Sequence, residues 1–324
     1  MVKDFFDSIP SDILSRSVNL DLNLQSSEGQ AAIDEVLSKT VLSGGKRLRP
    51  LLTFLMGNLF KADLDQLMPF ARATELVHAA SLSHDDVIDN ATVRRGAPSI
   101  NILASNKKAV LAGDYLLSKV IVDLCQTKNI ELVSEMSLVI KDLSEGEWLQ
   151  LDLQKNRNYT RELIHEVALK KTSSVMSYCT LASAILTKQS QNVQNNAREF
   201  GINLGIAFQL IDDTLDFSGE SLKDSMLDLN NGVVNAVFYD YLEKNPTLFT
   251  RFKNGEDLST LIDLNNLKSS VEAIVNTATK HLEMAHHNLS LIEIELQNSL
   301  DNAHIEAASE HLKMILAYLV LRKN

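Results

Sequence analysis

Apolar residues recur along most of this chain at steps of three and four, with little of the alternation that marks a strand. The clearest run spans Asn195 to Phe217, where Phe200, Leu204, Phe208, Ile211 and Leu215 form one continuous face, the 3.6-residue signature of a buried helix. A second helix is predicted from Pro69 to Asn90, and a third through Ile33, Val36 and Leu37, ending at Ser43-Gly44-Gly45. The five prolines stand at 10, 50, 69, 98 and 246, which leaves a long stretch without this helix breaker. Helix after helix with short connections predicts an all-α fold, a single-domain helical bundle over residues 1–324 around a central cavity. Residues 1–30 read as an N-terminal arm. Residues 218–235, with Gly219, Ser221, Asn230, Asn231 and Gly232, are polar and irregular and predict a lid loop.

Composition narrows the picture. With 324 residues the chain can bury a sizeable core, and its formal charge of −11 argues against a nucleic-acid surface or a polybasic membrane patch. Cys125 and Cys179 lie in apolar stretches without metal-ligand spacing and read as reduced core residues of a cytoplasmic protein. No signal-peptide pattern and no membrane-spanning apolar run is present in the sequence.

Candidate chemistry centres on two Asp-Asp-x-x-Asp stretches, Asp85-Asp86 with Asp89 and Asp212-Asp213 with Asp216, both set among apolar residues. On a helix the first and last carboxylates of each set stand one turn apart on the same face. Carboxylates so crowded repel unless cations neutralise them, and Mg²⁺ prefers such hard oxygens while leaving positions for substrate phosphates. One copy would read equally well as solvated surface; two copies in apolar settings favour a metal-dependent enzyme. Gly44-Gly45-Lys46-Arg47-Leu48-Arg49-Pro50 reads either as a helix end with basic residues or as a diphosphate clamp built on Lys46 and Arg49. His78 lies two turns before Asp85 on nearly the same face, and Arg94-Arg95-Gly96 places adjacent guanidinium groups on a turn, suited to phosphate. Ala112-Gly113-Asp114 is predicted to open a helix with Asp114 in its first turn, and Lys171 with Thr172 falls inside another.

Taken in order, these motifs resemble the trans-isoprenyl diphosphate synthases, or polyprenyl synthetases. The match runs through Gly44–Pro50, His84–Asp89, Arg94–Gly96, Gly113–Leu117, Lys171-Thr172 and Phe208–Phe217. The resemblance implies a homodimer that uses Mg²⁺ to condense isopentenyl diphosphate head-to-tail (1′-4) onto an allylic diphosphate. It implies that Asp85, Asp89 and Asp212 ligate the metal, with Asp86, Asp213 and Asp216 in support. Arg94, Lys171 and Lys223 would hold the allylic diphosphate, and Lys46, Arg49, His78 and Arg95 isopentenyl diphosphate. Thr172 and Gln209 would line the reacting centre.

In this family a bulky aromatic shortly before the first motif closes the product tunnel early, whereas this chain has the small residues Ala80 and Ser81. A medium-to-long product such as octaprenyl is therefore expected. The chain departs from the family after the second motif: Lys223, Asp228 and Gly232 are retained, but Met226 and Val233 replace the usual Gly and Lys. One missing charge-assisted contact would cost ~1.5–3 kcal/mol. That departure keeps open a synthase-like subunit that is not itself catalytic and modulates a partner. A class I terpene cyclase would share the first motif but would lack the second basic clamp. A helical scaffold would need no small residues beneath it.

Overall fold

The computed structural model describes residues 6–22, 24, 31–215, 217, 229 and 232–321. Helices dominate, as the periodicity predicts, and the chain forms two compact units. One comprises residues 9–140 and 178–189; the other comprises 141–177 and the chain from 190 onward, with the segment ending at Ser8.

The first unit contains α1 (Ser11–Val18), α2 (Ala31–Lys39), α3 (Leu48–Leu59), α4 (Leu64–Ile88), a hairpin of β1 (Val93–Arg94) and β2 (Ala97–Pro98), α5 (Ile100–Leu103) and α6 (Asn106–Gln126). α7 (Ile130–Asn156) begins in this unit and ends in the other. α3 is apolar on nearly every side, and Leu51, Leu52, Phe54, Leu55, Met56 and Leu59 are all buried. α4 packs against α3 and α6. Gly57 makes the first of these approaches possible, since a Cβ there would lie 2.0 Å from Leu67 Cδ1.

Three local expectations shift. α4 starts at Leu64 because the Asp63 carboxylate caps it, accepting the Asp65 N–H at 2.9 Å; Pro69 removes a single bond in the second turn. α6 starts at Asn106, with the Ser105 hydroxyl accepting from Lys108 N–H, so Asp114 sits mid-helix. Cys179 is buried as expected, but Cys125 is exposed, because Leu124 takes the inward position at that end of α6.

The second unit holds α8 (Arg161–Ala168), a π-helical turn (Leu169–Ser173) and the start of α9 (Ser174–Leu186), which ends in the first unit. It continues with α10 (Gln191–Leu215), α11 (Ala236–Lys244), α12 (Pro246–Lys253), α13 (Leu258–Leu261), a 3₁₀ turn (Leu264–Asn266), α14 (Lys268–Leu296) and α15 (Asn302–Leu321). α10 runs along α14. Phe200, Leu204 and Ile211 on one helix, and Ile274, Ala278, Leu282, Ala285, Leu289 and Ile292 on the other, are buried with helical spacing. Among the described residues no helix is long and apolar enough to cross a membrane.

Candidate active site

The described members of each acidic motif stand at the C-terminal end of a long helix. Asp85 and Asp86 close α4, with Asp89 as its C-cap, and Asp212 and Asp213 close α10. A helix C-terminus carries partial negative charge and disfavours anions by about 0.3–1 kcal/mol each. Carboxylates gathered there gain most from a bound cation, because the helix end and the side chains attract it together.

The members of the first motif face different ways. Asp85 is partly buried and Asp89 exposed, whereas Asp86 is fully buried. Asp86 accepts from Arg94 Nε at 2.6 Å and from the Ile100 N–H at 3.3 Å. It ties the hairpin and α5 to the end of α4, and Arg94 is engaged in the same contact. α6 fixes the motif from the other side: the Ser83 hydroxyl donates to the Ala109 carbonyl at 2.8 Å, and His84 Nε2 lies 3.1 Å from the Val110 carbonyl. The room for His84 comes from Gly113, where a Cβ would lie 2.2 Å from Nε2. Thus the buried Ser83 hydroxyl has a buried acceptor. One turn earlier, Ala80 is buried, and the partly buried Ser81 donates to the His78 carbonyl.

Behind this helix end the same unit assembles a basic cluster. Arg49, Arg95, Arg94 and Arg47 all face His78, and burial of the imidazole followed by these cations holds its pKa well below the usual histidine value. His78 is therefore neutral at physiological pH. Arg95 and Gly96 have φ of 51° and 78°, the left-handed pair of a tight hairpin turn, which swings Arg95 over the Gly44-Gly45 backbone. A Cβ on Gly45 would lie 3.6 Å from the Arg95 terminal nitrogens, and Arg95 Nη1 donates to the Ser43 carbonyl at 2.6 Å. Lys46 is exposed, and Arg49 stands in the first turn of α3 with a buried Nε that has no hydrogen-bond partner. Arg47, passed over by the sequence reading, turns inward to the buried Glu75, with 2.6 Å between Nη1 and Oε2.

In the second unit the π-helical turn presents Lys171 and Thr172, and such turns are frequent at functional sites. Helical glycines grip it. A Cβ on Gly146 would lie 2.8 Å from Lys171 Cγ, and one on Gly205 would lie 2.5 Å from Ser173 Cα. Lys171 is ion-paired with Glu147 and donates to Gln150 Oε1 at 3.0 Å. From Thr172 a chain of hydrogen bonds follows α10. The Thr172 hydroxyl donates to Gln209 Oε1 at 2.7 Å, Gln209 Nε2 donates to Asp213 Oδ1 at 2.9 Å, and Asp213 Oδ2 accepts the Ala236 N–H at 3.0 Å. Asp213 thereby joins Asn235, which caps α11 through the Phe238 N–H, in anchoring the chain where it leaves the expected lid.

Asp216, Lys223 and most of the expected lid lie outside the described residues. Glu75 and Gly205 were not singled out from sequence, whereas the Ser144–Gln150 stretch drew notice for its acidic and amide groups beside Trp148. The signal for Glu75 and Gly205 was weak: a carboxylate inside an apolar helical run, and a glycine inside a helix. Among the described residues, no group of three or more His, Cys, Asp or Glu side chains is gathered as a metal site. Mg²⁺ commonly takes one or two carboxylates and completes its shell with water and substrate phosphates, so Asp85 with Asp89, and Asp212, fit it.

Known proteins resemble this chain in sequence and in fold. The chain is 32% identical over 302 residues to solanesyl-diphosphate synthase 1, mitochondrial, of Oryza sativa subsp. japonica, covering 86% of this chain and 69% of that protein. Its fold is similar to a decaprenyl diphosphate synthase from Rhodobacter capsulatus, with TM-score 0.85, 25% identity and all of both chains covered. It is also similar to a polyprenyl synthase from Caulobacter crescentus CB15, complexed with calcium and isoprenyl diphosphate, with TM-score 0.79, 24% identity, and 100% and 98% of the two chains covered. The polyprenyl synthetase sequence profile matches residues 30–268, a span that takes in both acidic helix ends, the arginine cluster and the π-helical turn. This chain belongs to the polyprenyl synthetase family.

Proposed function

We propose that this chain is a prenyltransferase that condenses isopentenyl diphosphate head-to-tail (1′-4) onto an allylic diphosphate, giving an all-trans polyprenyl diphosphate. The observation that carries the reading is the basic cluster. Arg47, Arg49, Arg94 and Arg95 all lie near enough to the neutral His78 to lower its pKa. Arg47 and Arg94 are paired with Glu75 and Asp86, so the charges of Arg49 and Arg95 beside an acidic helix end are the ones that call for a polyanion. An enzyme handling one diphosphate through the acidic motif alone has no use for them.

In this reading Asp85, Asp89 and Asp212 hold Mg²⁺, supported by Asp86, Asp213 and Asp216. When bound, the metal stabilises negative charge on a departing diphosphate. Arg94, Lys171 and Lys223 hold the allylic diphosphate; Lys46, Arg49, His78 and Arg95 hold isopentenyl diphosphate. The C1–O bond of the allylic substrate breaks with its electron pair leaving on diphosphate. The isopentenyl double bond then attacks C1, and a proton passes from the new chain to the released diphosphate. Thr172 and Gln209, already aligned by their mutual hydrogen bond, present oxygens to the developing cation. The support for Lys171 is its placement on a π-helical turn, where Glu147 and Gln150 keep it oriented.

The product is of medium-to-long chain. Ala80 and Ser81 support this by their small size, as do the names of the rice and Rhodobacter relatives. A homodimer is part of the proposal, supported by the apolar residues Leu111 (63% exposed) and Val122 (55% exposed) on α6. Cytoplasmic residence is supported by two cysteines without disulfides. Incubating purified protein with labelled isopentenyl diphosphate, an allylic primer and Mg²⁺ tests the reading. A ladder of prenyl diphosphates that vanishes with chelator is expected. A cyclic hydrocarbon, or no product, would overturn it.

A further inference from the structure

The Gly44–Arg49 segment raises a question that the assigned contacts leave open. A carboxylate near a diphosphate site repels the substrate, yet Glu75 is buried among the arginines there. It stands one turn before His78 on α4, within the field of Arg95. Something must outweigh that repulsion.

The backbone of the segment supplies the reason. Gly44, Gly45 and Arg47 have φ of 69°, 87° and 51°, and the last is a conformation that a residue with a Cβ rarely adopts. Arg47 is kept in it by both arms of its guanidinium. Nη1 meets Glu75 Oε2 at 2.6 Å, and Nη2 donates to the Leu42 carbonyl at 2.7 Å. The fork thus pins the start of the segment to its end and both to α4. With Arg47 turned inward, Lys46 is left exposed on one side and Arg49 opens α3 on the other. Arg95, hydrogen-bonded to the Ser43 carbonyl, completes the enclosure.

We propose that Glu75 is the positioning residue of the isopentenyl diphosphate clamp: by holding Arg47 it sets the backbone that presents Lys46, Arg49 and Arg95 to the substrate. The proposal rests on the prenyl-transfer reading and adds to it a residue that touches no substrate.

The sign of one kinetic change decides it. In Glu75→Gln the charge is lost while the size is retained. If Glu75 acted only as a nearby negative charge, its removal would lower the KM for isopentenyl diphosphate. If it positions the clamp, that KM rises, by roughly tenfold for the loss of one charge-assisted bond, while kcat and the KM for the allylic substrate stay within about twofold. Arg47→Lys, which keeps the charge but loses the fork, is expected to raise the same KM, and the double variant is expected to do no worse than the more affected single one. An unchanged or lowered KM in Glu75→Gln would overturn the proposal. So would a wild-type response in Arg47→Lys, which stands as the test if the first variant does not fold, or a parallel loss in kcat and both KM values. Wild-type protein assayed alongside separates the two levels: wild type without prenyl product removes the functional reading itself, whereas active wild type with an insensitive Glu75→Gln removes only the role of Glu75.

Discussion

Gly205→Ala probes the contact between α10 and the π-helical turn. The added Cβ would lie 2.5 Å from Ser173 Cα, 2.8 Å from its Oγ and 2.9 Å from its Cβ. Carbon pairs settle at about 3.5–4.0 Å, so the two segments must part by roughly 1 Å. Ser173 Cα is backbone and cannot rotate aside. Overpacking of this kind costs about 1–3 kcal/mol, while Ala in place of Gly in a helix returns about 0.8–1 kcal/mol. The net destabilisation is therefore only about 0–2 kcal/mol, and stability is the weaker readout. Geometry is the stronger one. Thr172 precedes Ser173, and Gln209 lies one turn after Gly205, so the same movement stretches their 2.7 Å hydrogen bond beyond the bonding range. A displacement of about 1 Å at a reacting centre costs on the order of 10²-fold in rate. Urea denaturation with steady-state prenyl transfer measures both quantities. A variant with kcat within twofold of wild type, whatever its stability, would refute the coupling between this helix contact and the reacting centre.

Three further outcomes are expected. Asp86→Ala removes the buried partner of Arg94 and costs toward the lower end of ~3–5 kcal/mol, because Arg94 keeps 26% side-chain exposure; Asp89→Asn leaves denaturant stability unchanged but raises the Mg²⁺ concentration needed for half-maximal turnover. His78 is held neutral by burial and its arginine neighbours, so below about pH 6.5 the unfolded chain binds a proton that the folded one does not. Stability attributable to His78 falls by up to about 1.4 kcal/mol per pH unit as pH drops from there, and urea midpoints at pH 7 and pH 5.5 should converge more closely in His78→Gln than in wild type. Ala80→Phe adds a bulky ring shortly before the first acidic motif and is expected to shorten the prenyl product, read by chromatography after dephosphorylation; an unchanged ladder would place the tunnel elsewhere.

The sequence by itself determined the class of fold and the candidates for the reacting groups. A 3.6-residue apolar repeat can be satisfied only by burying one helix face, so the all-α architecture and the apolar face of α10 were legible without coordinates. The paired aspartates, Lys46, Arg49, His78, Arg95, Lys171 and Thr172 stood out as candidates, because Mg²⁺ and phosphate favour such oxygen and cationic groups and because their order resembles the family's motifs. What each group does with its neighbours was decided by tertiary structure. Asp86 and Asp213 look like their motif companions in sequence. Yet one is buried against Arg94 and Ile100, and the other accepts from Gln209 and from the backbone of Ala236. The start of α4 turned on the Asp63 cap, and Lys171 and Thr172 sit on a π-helical turn between two helical glycines. Glu75 gained its meaning from Arg47, 28 residues away. Local periodicity reports only which face of an element is apolar. Pairing between charges and close approach between backbones depend on residues far apart in the chain, and folding alone brings them within hydrogen-bond range.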